Sequence, residues 1–223
     1  MSMQKETIFY RRNLPHIQPK GGTFFVTFRL AETIPEQILQ ALLADREKQI
    51  NNIDKKLSDK ERENEKYKAE KRFFAGFDQW LDKCKTGPTW LKTSKLARTV
   101  AEKIHDLDGT KYKLIAYSIM SNHVHLLIDL AGFEGGIEHS GKTKAYPLAD
   151  ALRLLKGSTS RSCNLLLNRT GQFWHHESYD HYVRDEDELF RIIEYILYNP
   201  VKAGLVESYQ DWEFSFLCEA FST

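Results

Sequence analysis

The stretch KLIAYSIMSNHVHLLIDL, residues 113–130, holds two apolar runs separated by Ser121-Asn122. Two runs of strand length around a two-residue polar break read as a β-hairpin. Side chains alternate faces along a strand, so positions i and i+2 point the same way. His123 and His125 therefore project from one face of the sheet, while Val124, Leu126 and Ile128 enter the core on the other. Two imidazoles on one face are a half-site for a metal ion, or else a pair of ordinary strand histidines. The rest of the chain has to decide.

Working outward, GGTFFVTFRL (21–30) is a glycine-led, period-two run and reads as the first strand. Pro35 opens a helical pattern through IPEQILQALLADREKQI. Residues 45–72 then carry ten basic and eight acidic side chains in 28 positions, the pattern of a long exposed helix, a helical hairpin or a disordered run. KRFFAGFDQWLDKCKTGPTWL clusters aromatics on a short helix that ends at Gly87-Pro88. SKLARTVAEKIHDLDG restores helical periodicity between a Ser94 cap and a Gly109 stop. Beyond the hairpin, 132–147 reads as a loop and 148–168 as a helix interrupted near Gly157-Ser158. FWHHESYDHYVRD supplies a fourth strand and its exit. Asp185 with Glu188 forms a capping-box start for a last helix, which runs to about Asn199 and is ended or kinked by Pro200.

The order strand, helix, strand, strand, helix, strand is βαββαβ. That is an α+β, ferredoxin-like (RRM-like) sandwich forming a single domain over 1–223. A helical charged insertion at about 45–90 follows strand one, and a further helix closes the chain. Such a sheet packs its helices on one face and leaves the other available, here the face carrying His123 and His125.

With 223 residues the chain can build one sizeable core. No run approaches the roughly 18–20 apolar residues that span a bilayer. MSMQKETIFYRR has no apolar segment of the secretory kind. Cys84, Cys163 and Cys218 are too dispersed for a disulfide framework or a cysteine zinc site, so a reducing cytoplasm is the default expectation. The formal net charge is only +1, but its distribution is uneven. Residues 1–30 hold Lys5, Arg11, Arg12, Lys20 and Arg29 against the single acid Glu6, and 151–176 hold Arg153, Lys156, Arg161 and Arg169 against none. Two such segments form either a phosphate-binding face or a solvated surface. Arg11, Arg12, Arg153, Lys156 and Arg161 are the candidate phosphate contacts.

In the last helix Leu189, Ile192, Ile193, Ile196 and Leu197 recur at helical spacing and mark a buried stripe. Tyr195 and Asn199 fall one turn apart on its edge, whereas Tyr198 points nearly opposite. Two neutral imidazoles with an amide or carboxylate oxygen suit Mg²⁺, Mn²⁺ or Zn²⁺, with positions left open for phosphate oxygens. A positioned tyrosine hydroxyl can form a covalent ester. His139, His175, His176 and His181 show no clear ligand spacing, and Trp174 reads as core.

SNHVHLLI resembles the His-hydrophobe-His signature of HUH single-strand endonucleases. GQFWHHESYDHYVRDEDELFRIIEYILYNPVKAGLV resembles the C-terminal block of their single-tyrosine branch, and with KLIAYSIM and KGSTSRSCN the likeness is to the REP-associated tyrosine transposases. It covers roughly 8–30 and 90–210. The resemblance implies that His123 and His125 bind a metal, that Tyr195 is the nucleophile and that Asn199 completes the metal site. It further implies Mg²⁺ or Mn²⁺ as cofactor, single-stranded or hairpin DNA as partner, no membrane, and a monomer or a homodimer. The products that the resemblance implies are a 5′-phosphotyrosine linkage and a free 3′-OH. Members often have proline where this chain has Ser121, a difference confined to the turn. Two other readings remain at this stage: a domesticated nicking protein without transposition, and a DNA-hairpin-binding protein whose histidines and tyrosine are vestigial.

Overall fold

The structure, a computed structural model, describes residues 7–11, 15–19, 21–133 and 146–221. In chain order the elements are β1 (Thr7–Arg11), β2 (Pro15–Pro19), β3 (Thr23–Arg29), α1 (Glu36–Asn51), α2 (Asp59–Lys83), α3 (Ser94–Leu107), β4 (Lys113–Ile119), β5 (His123–Asp129), α4 (Pro147–Leu166), β6 (Tyr179–Tyr182), α5 (Glu186–Lys202) and β7 (Ser215–Leu217). Residues 134–145, most of the segment read as a loop, lie outside the described residues, as do 1–6 of the N-terminal segment.

Five strands form one antiparallel sheet in the order β6-β3-β5-β4-β7, and β1 and β2 make a separate antiparallel pair. The βαββαβ frame is present, with β7 added beside β4. The hairpin at 113–130 pairs Ile119 with Val124 and Lys113 with Asp129. The α+β class expected from the sequence is the one observed.

One face of the sheet is a dry core. Phe24, Val26 and Phe28 of β3 and Val124, Leu126 and Ile128 of β5 meet Leu96, Val100 and Ile104 of α3 and Leu148, Ala151 and Leu155 of α4. The apolar positions of α3 recur every three or four residues, so burying that stripe fixes its rotation. Gly157 does not interrupt α4; it has open space around it and the apolar turns on either side carry the helix through.

The other face, which the sheet order left available and the resemblance gave to the tyrosine helix, is covered by two helices. α5 lies on it through Ile193, Ile196 and Leu197, and α2 lies beside α5 through Phe73, Phe77 and Leu81. The charged insertion is therefore part of the sandwich. Along α2 the apolar residues Ala69, Phe73, Phe77 and Leu81 recur every four positions and are buried, which lets an otherwise charged helix dock. α1 and α2 form a hairpin tied by Arg46, buried, which donates through Nε to Glu70 Oε2 at 2.8 Å and pairs through Nη2 with Oε1. Ser58 caps α2 in a full capping box with Glu61. Downstream of α2 the chain turns at Gly87, where a Cβ would stand 2.4 Å from the Glu32 carbonyl oxygen, so only glycine lets the segment dock there.

α5 begins as expected, with Asp185 accepting from the Glu188 amide at 2.8 Å. Glu188 returns not to its cap but to the amide of Arg184, at 3.0 Å. Pro200 sits inside the last turn and forgoes the backbone bond to the Ile196 carbonyl, yet α5 continues to Lys202.

Candidate active site

The register places the site. On β5, His125 stands opposite Thr27 of β3 and Ser118 of β4, and His123 stands opposite Arg29. Both imidazoles are buried, at 1% and 0% exposure for His123 and His125. Their Nε2 atoms lie 3.0 Å apart. His123 Nδ1 is 2.7 Å from Asn122 Oδ1, and the amide nitrogen of Asn122 donates to the Leu81 carbonyl at 3.0 Å. An amide oxygen only accepts, so His123 carries its hydrogen on Nδ1 and aims an Nε2 lone pair inward. His125 then donates from Nε2 to His123, and its Nδ1 accepts from the Thr27 hydroxyl at 2.8 Å. Thr27 can donate or accept, so it serves either tautomer of His125. Burial, with repulsion from His125, pushes His123 well below the usual imidazole range and keeps it in the neutral form that ligates metals.

α2 brings carboxylates to the same place. Asp78 Oδ1 lies 3.4 Å from His125 Nε2, and Asp78 Oδ2 accepts from Lys202 Nζ at 3.1 Å. Lys202 also reaches Asp82 at 2.8 Å. One ligand atom from each of Asp78, His123 and His125 lies within 4.8 Å of the others, and all three residues are buried. Burial alone would raise the Asp78 carboxyl. The proximity of His125, then of His123 and Tyr195, outweighs it and holds Asp78 well below the ordinary carboxylate range. Asp82 goes the other way, raised by burial and by the charge of Asp78.

α5 supplies the hydroxyl. The Tyr195 ring packs edge-on to His125 with centroids 5.3 Å apart, and Phe25 and Phe74 wall it at 5.9 Å each. Its hydroxyl is buried and faces Asp78; burial, then the charges of Asp78 and Asp82, push it far above the usual phenol range. Asn199, one turn on, is 1% exposed. Among the described residues, Asp78 Oδ1, Asp82 Oδ1, the Tyr195 hydroxyl and both amide atoms of Asn199 are buried without a hydrogen-bond partner. Each such group costs on the order of 1–3 kcal/mol. Five of them around two inward-facing imidazoles make a donor set that fits a divalent ion and substrate oxygens. Tyr198 lies outside this cluster, half exposed, with its ring 5.1 Å from that of Tyr209.

A cavity of about 170 Å³ reaches His123 from outside, lined among others by Leu81, Asp82, Lys92 and Ser121.

The remaining candidates are not brought to this cluster. Arg153, Lys156 and Arg161 lie on α4, which packs on the opposite face. Arg153 pairs with Asp150 at 2.7 Å, Arg161 is exposed, and Lys156 donates to the carbonyls of His175 and His176 and to Ser178. Arg11 ends β1, and Arg12 lies outside the described residues, as does His139. His181 pairs with Glu188 at 3.1 Å. Sequence reasoning missed Asp78, Asp82 and Lys202. The signal for the first two was two acids four residues apart inside an aromatic stripe, FFAGFDQWLD.

No protein-family model matches the chain. A curated protein of Haemophilus influenzae, named as a candidate REP-associated tyrosine transposase, is 29% identical over 104 residues, 47% of this chain. The chain spans 58% of the length of that relative. A solved structure of a REP-associated tyrosine transposase bound to a REP hairpin is similar with a TM-score of 0.49 and 18% identity, covering 92% of this chain and 80% of that one. The curated relative carries the family name that the motifs around His123, His125 and Tyr195 resemble, and so supports that resemblance.

Proposed function

We propose that the chain is a metal-dependent single-stranded DNA endonuclease and strand transferase of the REP-associated tyrosine transposase kind, acting on hairpin-forming DNA through Tyr195. The observation that carries this reading is the convergence of Tyr195 with His123 and His125 on one sheet face, with the His125 and Tyr195 rings 5.3 Å apart. Residues seventy positions apart are brought together beside polar atoms that the protein itself leaves without partners. The likeness to the curated relative points the same way.

His123 and His125, with Asn199, would hold Mg²⁺ or Mn²⁺. When bound, the ion supplies a Lewis acid that polarises the phosphodiester and offsets charge on its oxygens. The chain's own residues do the rest. Asn122 and Thr27 fix the rings of His123 and His125 from behind, so the Nε2 atoms converge. Tyr195 Oη attacks phosphorus, the P–O3′ bond breaks, and the departing 3′ oxygen ends with the proton that the phenol loses. The product is a 5′-phosphotyrosine with a free 3′-OH, and reversal against a second 3′-OH rejoins the strand. Phe25 and Phe74 keep the phenol in place and dry. At rest the hydroxyl is protonated, because burial and the carboxylate of Asp78 disfavour the phenolate.

Labelled hairpin DNA, incubated with and without Mn²⁺, tests this. Wild type should form a metal-dependent covalent adduct and Tyr195→Phe none. Cleavage that survives Tyr195→Phe would refute the nucleophile, and binding without cleavage across a panel of hairpins would make the chain a binding protein.

A further inference from the structure

We propose that Asp78, carried in by the charged insertion, is a protein ligand of the ion, and that Lys202 is the cation that holds its place until the ion arrives. The inference rests on the metal-dependent reading above and extends it to a residue outside the matched motifs.

The geometry is specific. Asp78 Oδ1 is buried, has no hydrogen-bond partner and stands 3.4 Å from the Nε2 of His125. The two imidazole nitrogens and a carboxylate oxygen thus converge within 4.8 Å, the span that a single ion can bridge. A carboxylate is a hard, charged donor and suits Mg²⁺ or Mn²⁺ better than an uncharged amide does. An imidazole that ligates a metal is neutral, so Asp78 would also supply the negative charge that a divalent ion requires in a dry site.

The placement of Asp78 is coupled to that of the histidines. Asn122 orients His123 through Oδ1 and holds the Leu81 carbonyl through its amide nitrogen, so one side chain sets both the imidazole and the helix turn that follows Asp78. The same helix is fastened further back by Arg46 to Glu70 and by the Tyr67 hydroxyl donating to Glu188. An exposed spacer would need none of these ties.

Lys202 supplies the second half. Its ammonium lies 3.1 Å from Asp78 and 2.8 Å from Asp82, while its side chain is 54% exposed. A flexible, half-solvated lysine can leave its partner for water at low cost, whereas the buried carboxylate cannot be left uncompensated. An ion binding Asp78 would therefore displace Lys202 from it, leaving Lys202 with Asp82. The ion and the ammonium compete for one carboxylate.

Isothermal titration of Mn²⁺ into the full chain separates the possibilities, with folding checked by circular dichroism. Wild type should bind one ion, and Asp78→Asn should weaken binding at least ~10-fold. Asp82→Asn removes the other Lys202 partner and should change affinity by less than about threefold, as expected of a group outside the converging set. Lys202→Met should tighten binding several-fold. No Mn²⁺ binding by wild type would overturn the metal-dependent reading itself. Equal binding by wild type and Asp78→Asn would overturn only this inference. If Asp78→Asn does not fold, Lys202→Met decides: unchanged or weaker affinity overturns the proposal.

Discussion

β5 has two faces built by alternate residues of one seven-residue strand, and they obey different rules. Val124, Leu126 and Ile128 sit on a face where each neighbour is apolar and close-packed. His123 and His125, one residue away each time, sit on a face with two carboxylates, an amide and a phenol, several of them without hydrogen bonds. Both faces are equally buried. The first is dry because nothing polar needs to be there. The second is costly, since unpartnered buried groups work against folding. A strand that tolerates this cost on one side while avoiding it on the other is the physical support for the function proposed for the polar side.

The comparison can be broken by substitution. Leu126→Ala should lower unfolding free energy by about 2–5 kcal/mol, read from urea denaturation, because it opens a cavity in the close-packed face. Its Mn²⁺ affinity should hardly change. If metal binding fell as far as stability, the two faces would not be separable.

Glu188→Gln probes the fastening of the polar side. Glu188 is buried, accepts from Tyr67, from the Arg184 amide and from His181, and has its pKa lowered to about 2 from 4.5. Burial alone would raise it; the bond with His181 leads the effects that lower it. A depressed carboxylate pKa contributes stability that is complete above about 4.5 and fades as pH falls from there towards 2. The variant should cost roughly 1–3 kcal/mol near neutrality and flatten the acid limb of a stability-versus-pH curve. An unchanged acid limb would mean that Glu188 does not tie α2 to α5.

Thr27→Val removes the hydroxyl behind His125 at constant shape. Mn²⁺ affinity should drop by about 10-fold, and the ion-free protein should lose about 1–3 kcal/mol because His125 Nδ1 is left buried without a partner. Asn199→Leu should be near neutral or stabilising by roughly 0–1 kcal/mol, because it deletes two buried polar atoms that have no partner. A large loss of stability there would show that Asn199 is structural. Tyr198→Phe, at an exposed ring, should lie within about 0.5 kcal/mol of wild type and keep adduct formation.

Much of the polar face was legible in the chain. Alternation on 123–129 separates the histidines from the core triplet, and helical spacing pairs Tyr195 with Asn199 while setting Tyr198 aside; the structure keeps both divisions. These readings depend only on local periodicity, which backbone geometry enforces. Asp78 was not legible in that way. It lies 45 positions before His123, on the aromatic segment that follows the charged run, and only the docking of α2 beside α5 reveals its neighbours. The docking of α2 on the histidine face was missed for the same reason. β7 and the β1–β2 pair were missed because short edge strands carry too few residues for a period-two signal. Pro200 read as an end or a kink and Gly157 as an interruption, yet both helices run through because the apolar residues they bury on the sheet outweigh the local cost.

The most direct measurement is anomalous diffraction from crystals of the full chain grown with Mn²⁺. The account predicts one strong peak between the Nε2 atoms of His123 and His125, within about 2.5 Å of both, and none on the face that holds Leu126. Well-ordered crystals with no peak at the histidine pair, or with manganese bound only elsewhere, would contradict it.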